Sequence, residues 1–354
     1  MRRPLCLLLL AMFGGPVPRA AAWNELGHMT VAKLAWEQLT ARHKDAAYET
    51  LRHLPYCDKF MSERPRPTGV SPAEWLFLNA STWPDWLRDF TKTGKRPDTA
   101  VSKYHIGPRH YINLPVRTPQ NDVEAPAAPM QAGDEESIVT GIRGALRQLR
   151  EPGDDREKRA LALAWLLHLT GDIHQPLHCG SFLSKQYPPP GGDLGGNLCW
   201  VKTPEGPTNL HAFWDDLLGK SEGYGRAPFD PLLSDRMWDR VREQYGLLRG
   251  EAYARETYGA RPKATDAWAW ALEGNALSAS QSYVFRGMPL RRYPIPNYYQ
   301  LSADAKQAES AKAPALPDGY VEASLTLARR QVALAGHRLA DQLRRVFAAG
   351  GQER

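Results

Sequence analysis

The segment His168-Leu-Thr-Gly-Asp172-Ile-His-Gln-Pro-Leu-His178 follows the apolar run Leu161 to Leu167. It sets three groups able to bind a metal ion, His168, Asp172 and His178, within eleven residues. If Leu161 to Asp172 is helical, Leu161, Trp165, His168 and Asp172 fall at i, i+4, i+7 and i+11, a single stripe. His168 and Asp172 then project from neighbouring turns of one face. Pro176 has no backbone N–H and disfavours helix in the residue before it, so the chain bends there and brings His178 back toward the same cleft. One His-x-x-x-Asp is a weak signal, since a helical ion pair or a cap explains it more often. A second copy, His211-Ala-Phe-Trp-Asp215, repeats the spacing and shifts the balance toward metal.

The chain has 354 residues. Its first 22 read as a secretory signal: Arg2 and Arg3, the short apolar run Leu5 to Phe13, then Ala20-Ala-Ala22. That run is too short to span a bilayer, and no later segment is long enough either, so no membrane span is expected. Cleavage before Trp23 gives an exported protein, periplasmic or secreted. Arg2, Arg3 and Arg19 supply +3 of the formal +6, so +3 remains, which permits an anionic substrate without identifying one.

Residues 23–354 suit a single domain with no internal repeat. Helical periodicity dominates wherever a pattern is clear: Met29 to Leu39, the apolar series Ile138, Ile142, Leu146 and Leu149 after the acidic start Asp134-Glu-Glu136, Ala267 to Val284, and Tyr320 to Phe347. Leu198 to Lys202 is the best strand. The fold class is therefore mostly α, a multi-helix bundle with long loops and little strand. Turn formers mark loops at Arg64 to Ser71, Thr91 to Lys103, Pro115 to Gly133 and Pro188 to Asn197. The Ala- and Pro-rich stretch Gln300 to Pro317 reads as a flexible lead into the last helix.

Cys57, Cys179 and Cys199 remain after loss of Cys6, an odd count for an oxidising compartment. A Cys179–Cys199 bridge would close the glycine loop, and that disulfide is expected ahead of zinc ligation by Cys179. Of the ten histidines, His28, His110, His168, His178 and His211 lie near other candidate ligands or aromatics. His43, His53, His105, His174 and His337 are read as surface or ordinary hydrogen-bonded residues. With Asp85, Asp172 and Asp215 the first group gives five imidazoles and three carboxylates, too many for one zinc but suited to two or three. Closely spaced metals suit phosphoryl chemistry, because they activate water and steady the leaving oxygen.

These motifs resemble the secreted, single-strand-specific zinc nucleases, the family of mung bean nuclease and its fungal and bacterial relatives. The resemblance rests on Trp23-Asn-Glu-Leu-Gly-His28, Trp83-Pro-Asp85-Trp-Leu-Arg88, His110-Tyr-Ile-Asn113, His168 to His178, Gly195-Gly-Asn197 and Asn209-Leu-His-Ala-Phe-Trp-Asp215, in the family's order. It implies a bacterial-type member with the bundle of the zinc-dependent phospholipase C/nuclease type. It also implies three Zn2+ per chain: one held by Asp85, His110, His168 and Asp172; a second by bridging Asp172, His28 and the backbone of Trp23; a third by His178, His211 and Asp215.

The implied reaction is hydrolysis of single-stranded DNA and RNA to 5′-phosphorylated products, with 3′-nucleotidase activity on short 3′-nucleotides and a metal-bridging hydroxide as nucleophile. Asp85 orients that nucleophile, Arg88 neutralises charge on the phosphoryl oxygens, and Tyr111 and Asn113 are the base-binding candidates. Tyr111 is nearly as well explained as a core aromatic. Asn113 stands where fungal members commonly have Asp, which leaves base preference open. No obligate protein partner is evident. The alternatives are a zinc phospholipase C-type phosphodiesterase, a secreted zinc-binding protein without turnover, and a helical export protein whose His and Asp residues merely pair.

Overall fold

The computed structural model describes residues 23–349 except 93–98, 119–135, 152, 154, 190, 221–229 and 231. The expected leader, residues 1–22, lies outside them. Among the described residues the helices are α1 (Glu25–Glu37), α2 (Ala41–Leu51), α3 (Cys57–Ser62), α4 (Pro72–Ala80), α5 (Trp83–Lys92), α6 (Thr99–Ser102), α7 (Ile138–Arg150), α8 (Arg156–Asp172), α9 (Leu210–Asp215), α10 (Leu232–Leu248), α11 (Ala267–Leu277), α12 (Ala303–Ser310) and α13 (Tyr320–Ala349). Strands are short: β1 (Pro115–Val116) pairs in parallel with β2 (Ser181–Phe182). β3 (Cys199–Thr203) lies between β4 (Gly206–Asn209) and β7 (Tyr293–Pro294), and β5 (Val284–Phe285) pairs with β6 (Met288–Pro289). The mostly α class is the one expected, and β3 covers the predicted strand with its bounds shifted by one residue.

Helix α8 carries the apolar run before His168. Asp155 caps it by accepting from the Lys158 N–H at 3.0 Å. Every residue from Ala162 to Asp172 is buried, as befits a helix apolar on all sides and packed within other helices. It lies against α7, α1, α2, α13 and α5. Helix α13 packs on α1, and Ala328, Val332, Ala335, Leu339 and Leu343, at helical spacing along it, are fully buried. A second apolar cluster, including Leu177, Phe182, Leu198, Val201, Trp214 and Tyr283, sits among the strands and α9.

Several boundaries differ from the sequence reading for local reasons. Helix α1 starts earlier because Asn24 accepts from the Gly27 N–H. Glu136 precedes α7 and pairs with Arg109 at 2.8 Å, while Ser137 and Thr140 form the capping box. Ala267 to Val284 is not one helix: α11 ends at Leu277 and a wider turn, Ser278–Ser282, follows, where Ser278 Oγ donates to the Pro176 carbonyl at 2.5 Å. Within the predicted loop Thr91 to Lys103, α5 ends at Lys92 and α6 forms at Thr99–Ser102.

The stretch Gln300 to Pro317 is more structured than a flexible lead. Ser302 caps α12, and Lys202 of β3 donates to Pro314 O at 2.8 Å and accepts from Leu316 N at 3.1 Å. The expected Cys179–Cys199 disulfide is also corrected. All three described cysteines are free thiols. Cys179 Sγ donates to the Ile173 carbonyl at 3.3 Å and Cys199 Sγ to Asp193 Oδ2 at 3.1 Å, so each thiol is engaged by its own buried acceptor.

His174 faces away from the other histidines of its segment. Its Nδ1–H donates to the Thr170 carbonyl at 2.7 Å, and its Nε2 accepts from Arg338 Nη1 at 2.9 Å. Arg338, 1% exposed, also donates to both Glu273 oxygens at 2.8 and 2.9 Å and to the Arg261 carbonyl. This buried polar network ties the end of α8 to α11 and α13. Arg338→Leu should lower unfolding free energy by about 2 kcal/mol, because it leaves the buried His174 Nε2 without its donor, while Glu273 keeps Arg261 at 2.9 Å. Chemical denaturation measures it; a loss below about 1 kcal/mol would show the network to be dispensable.

Candidate metal centre

Separate elements bring the predicted ligands together. α1 supplies His28, α5 Asp85, the turn Gly107–His110 its last residue, α8 His168 and Asp172, the turn Pro176–His178 its last residue, and α9 His211 and Asp215. They form three groups, His28/His168/Asp172, Asp85/His110/His168 and His178/His211/Asp215, with the ligand atoms of each group within 4.8 Å of one another. The four histidines His28, His168, His178 and His110 are at most 1% exposed, as is Asp172.

Asp172 is the junction. Its Oδ1 lies 3.2 Å from His28 Nε2, and its Oδ2 lies 3.1 Å from His110 Nδ1 and 3.2 Å from His168 Nε2. Asp85 Oδ1 is 3.8 Å from the same His110 and His168 nitrogens and 2.8 Å from Arg88 Nη2. In the third group His178 Nε2 is 3.1 Å from His211 Nε2, with Asp215 oxygens at 3.9 and 3.6 Å.

Backbone carbonyls set the tautomers. His168 Nδ1 faces Ser81 O at 2.7 Å, His178 Nδ1 faces His110 O at 2.6 Å, and His211 Nδ1 faces Gly195 O at 2.8 Å. A carbonyl only accepts, so each Nδ1 carries the proton and each Nε2 presents a bare lone pair. The Nε2 atoms of His178 and His211 therefore point lone pairs at one another across 3.1 Å. With both rings neutral, a cation between them resolves that contact. Zinc–nitrogen bonds of 2.0–2.1 Å at a tetrahedral angle place two nitrogens about 3.3 Å apart, so the spacing suits zinc. His28 Nε2 and Asp172 Oδ1 likewise approach without hydrogen-bond geometry.

Electrostatics agree with the geometry. Burial, then Arg88, holds His110 at about 3. Burial, then His178, holds His211 at about 3. Burial also lowers His178 and His28, which keeps these imidazoles neutral and able to ligate. Burial alone would raise Asp85, but Arg88, His168, His110 and His28 outweigh it and bring it to about 2. Asp172 is held well below the usual range despite its burial, chiefly by His168 and then His110. Asp215 goes the other way. Burial pushes it up, Asp216, Asp172 and Asp85 add to the push, and the Gln175 hydrogen bond at 2.7 Å only partly offsets them. A divalent cation beside His178 and His211 would restore the carboxylate.

Glycines make room at two points. A Cβ on Gly171 would meet His28 Nδ1 at 2.8 Å, where His28 stacks on His168 with centroids 4.0 Å apart. Gly195 has φ +63°, and a Cβ there would meet the Leu177 carbonyl at 2.4 Å. The start of the described chain is clasped to α9: Asn24 N donates to Asp215 O, and Asn24 Nδ2 donates to Asp216 Oδ1 at 2.8 Å and Gly219 O at 2.7 Å. Trp23 beside it is fully buried. Tyr111 and Asn113 are half-buried and flank buried Ile112, and Leu114 N donates to Ile112 O at 3.0 Å in a tight turn centred on Asn113. Among the other histidines, His43, His53, His105, His174 and His337 belong to none of the three groups.

The sequence reading gave no role to Ser81, Gln175 or Asn24. Ser81 acts through its carbonyl, which no side-chain pattern signals, whereas Gln175 stands inside the quoted ligand segment. Gly195→Ala should displace the carbonyl that orients His211. Metal bound per chain, measured by elemental analysis, should fall below that of the parent protein; unchanged content would mean that the loop tolerates the side chain.

The family model described as S1/P1 Nuclease matches residues 23–348. The chain is 26% identical to Endonuclease 4 of Arabidopsis thaliana over 57% of each protein. It is 27% identical to Nuclease S1 of Aspergillus oryzae over 54% of this chain and 53% of that protein. With Nuclease P1 of Penicillium citrinum it shares 23% identity over 82% of this chain and 93% of that protein. The chain thus spans little more than half the length of Endonuclease 4 and Nuclease S1, and nearly all of Nuclease P1. With the family match running almost from the first described residue to the last, this chain belongs to the S1/P1 nuclease family.

Proposed function

We propose that this protein is a zinc-dependent nuclease that hydrolyses phosphodiester bonds of single-stranded DNA and RNA to 5′-phosphorylated products, with 3′-nucleotidase activity on short substrates. The observation that carries the proposal is the convergence of five buried imidazoles and three carboxylates into three adjoining groups in a chain of this family. Three zinc ions fit the donor set. Asp85, His110, His168 and Asp172 would hold one, Asp172 with His28 and the Trp23 backbone a second, and His178, His211 and Asp215 a third.

Bound zinc supplies a Lewis acid for the phosphoryl oxygens and lowers the pKa of water from 15.7 toward about 7, which yields a nucleophile near neutral pH. The chain's own groups do the rest. Asp85, ionised beside Arg88 and only partly exposed, orients the attacking oxygen. Arg88 meets charge growing on the phosphoryl oxygens. Tyr111 and Asn113, half-buried and close to His110 in the chain, receive the base. A flexible single strand can bring its phosphate down to groups this buried, whereas a rigid duplex cannot.

Export by the leader and cleavage before Trp23 complete the proposal. Trp23 lies beside the Asn24–Asp215 clasp, so a free α-amine there, titrating near 7.7–8.0, adds a ligand that an internal amide does not offer. No helix among the described residues is long and apolar enough to cross a membrane.

Asp85→Asn should lower kcat on single-stranded DNA by about three orders of magnitude with the helical circular dichroism unchanged. Near-parental turnover would remove Asp85 from the mechanism. Chelation should abolish activity and zinc restore it, with about three zinc per chain on the cleaved protein. Release of diacylglycerol from phosphatidylcholine without release of nucleotides would instead establish the phospholipase alternative.

A further inference from the structure

Helix α7 carries two glycines, and only one has a packing reason. A Cβ on Gly141 would meet Leu169 Cδ1 at 2.7 Å. A Cβ on Gly144 would meet nothing within 4 Å. Glycine destabilises a helix interior relative to alanine, so the residue at 144 sacrifices stability without relieving any contact inside the chain. What it preserves is open space. Gly144 lines a cleft of about 320 Å³ between α7, α8 and the segment after α6, walled by Tyr104, Trp165, Lys103, Arg109, Arg147 and Lys158.

The lining has the chemistry of a single-strand groove, in which cations follow the backbone and an aromatic face takes a base; half-buried Tyr104 offers that face, while Trp165, 4% exposed beneath Arg109, forms the floor. The Lys103 ammonium lies 4.8 Å from the Tyr104 ring centroid and the Arg109 guanidinium 5.7 Å from that of Trp165. The acidic partners of these cations are weak competitors. Arg109–Glu136 at 2.8 Å, Lys158–Asp155 at 2.8 Å and Arg147–Glu151 at 3.8 Å all join partly or largely exposed side chains, and such pairs contribute little. A phosphate can take over the same donors with charge-assisted bonds. Arg147 also lines a neighbouring cleft of about 490 Å³ with Arg143 and Arg150. The three arginines follow one another at i, i+4 and i+7 along α7, a basic track rather than a point.

The cleft adjoins the metal centre. Arg109 and His110 are consecutive in the Gly107–His110 turn, the first lining the cleft and the second belonging to the ligand set. Trp165, in the cleft wall, meets His110 edge-on at 5.4 Å. We propose that this cleft is a second nucleotide-binding site, which takes an unpaired nucleotide of a single-stranded nucleic acid away from the scissile bond. The inference rests on the nuclease reading and adds to it a site that recognises strand length.

Gly144→Leu fills the cleft from a position where an added Cβ meets nothing within 4 Å, and Lys103→Glu reverses one wall charge at the surface. With each variant, kcat and KM are measured on the dinucleotide dTpdT and on a long oligothymidylate. KM for the long strand should rise about tenfold, with kcat and both dTpdT constants unchanged. Lys103→Glu should also flatten the salt dependence of KM. Unchanged KM for the long strand overturns the proposal, and so does an equal change on both substrates, which would mean disturbance of the metal centre. Binding of the labelled oligothymidylate is read in parallel by fluorescence anisotropy, each change being placed in the Asp85→Asn protein. If the parent hydrolyses neither substrate, the nuclease reading fails by itself. The cleft is then decided by anisotropy: weaker binding in Gly144→Leu supports it and unchanged binding refutes it.

Discussion

A fully buried carboxylate ringed by three imidazoles governs this fold. Asp172 has no access to water, and His28, His110 and His168 each approach it within 3.2 Å. An isolated ionised carboxylate in such a place would carry a prohibitive desolvation penalty. The three histidines come from α1, from the turn Gly107–His110 and from α8, so satisfying one side chain fixes three elements against one another. Neutral imidazoles cannot discharge the site by themselves. Burial keeps His28 and His110 from taking protons, and among the three only His168 is pushed upward, Asp172 and then Asp85 outweighing its burial. A divalent metal at this site would take the place of the proton that Asp172 and Asp85 favour on His168.

The scaffold around that charge fixes tautomers before it fixes anything else. Three carbonyls, from Ser81, His110 and Gly195, each take one imidazole N–H, so three ring nitrogens are committed as lone-pair donors by the backbone. The chain spends unusual residues to put those carbonyls in reach. Gly195 sits at positive φ against the Leu177 carbonyl, and the loop that holds it is anchored by Asp193, which accepts from Phe182 N at 2.9 Å and from Tyr283 OH at 2.8 Å. Cys199 donates to the same carboxylate, and for that reason it is a poor disulfide partner: its thiol belongs to the loop anchor.

How much of this was legible in the sequence depends on the range over which each signal acts. His168 with Asp172, and His211 with Asp215, were readable because four residues make about one helical turn and place both groups on one face. The bend at Pro176 followed from local sterics, and the structure turns there. The placement of Asp85 and His110 beside His168 was not local. It came from resemblance, since nothing in the spacing from 85 to 168 determines a distance. The cysteine pairing failed for the same reason, proximity of loop ends being no guide to the direction of a Cβ–Sγ bond. The error over Gln300 to Pro317 was of another kind. Ser302 is a good N-cap and Ala303–Ser310 is rich in helix formers, so the signal was local, but it was outweighed by the prolines that follow it. His174 shows the converse. It stands among ligands in sequence, yet α8 has ended by then, and its ring turns to Thr170 and Arg338 instead.

The groups also differ in charge, and the difference bears on what each can do. Those built on Asp85 and Asp172 hold two carboxylates kept ionised by their surroundings, with Arg88 in contact with one of them. The group built on Asp215 holds a single carboxylate that its surroundings push toward neutrality, and Gln175 spends its one well-placed N–H on it. Two anions in one pocket would hold divalent cations strongly, which suits the proposed generation of a nucleophile. A lone and reluctant carboxylate would leave a cation bound there less neutralised, and so better able to meet charge arriving from outside, as the proposed role at the departing oxygen requires. The asymmetry is a property of the protein's own charges. It arises because α9 brings one acid to two neutral imidazoles, while α5 and α8 each bring an acid to a shared set.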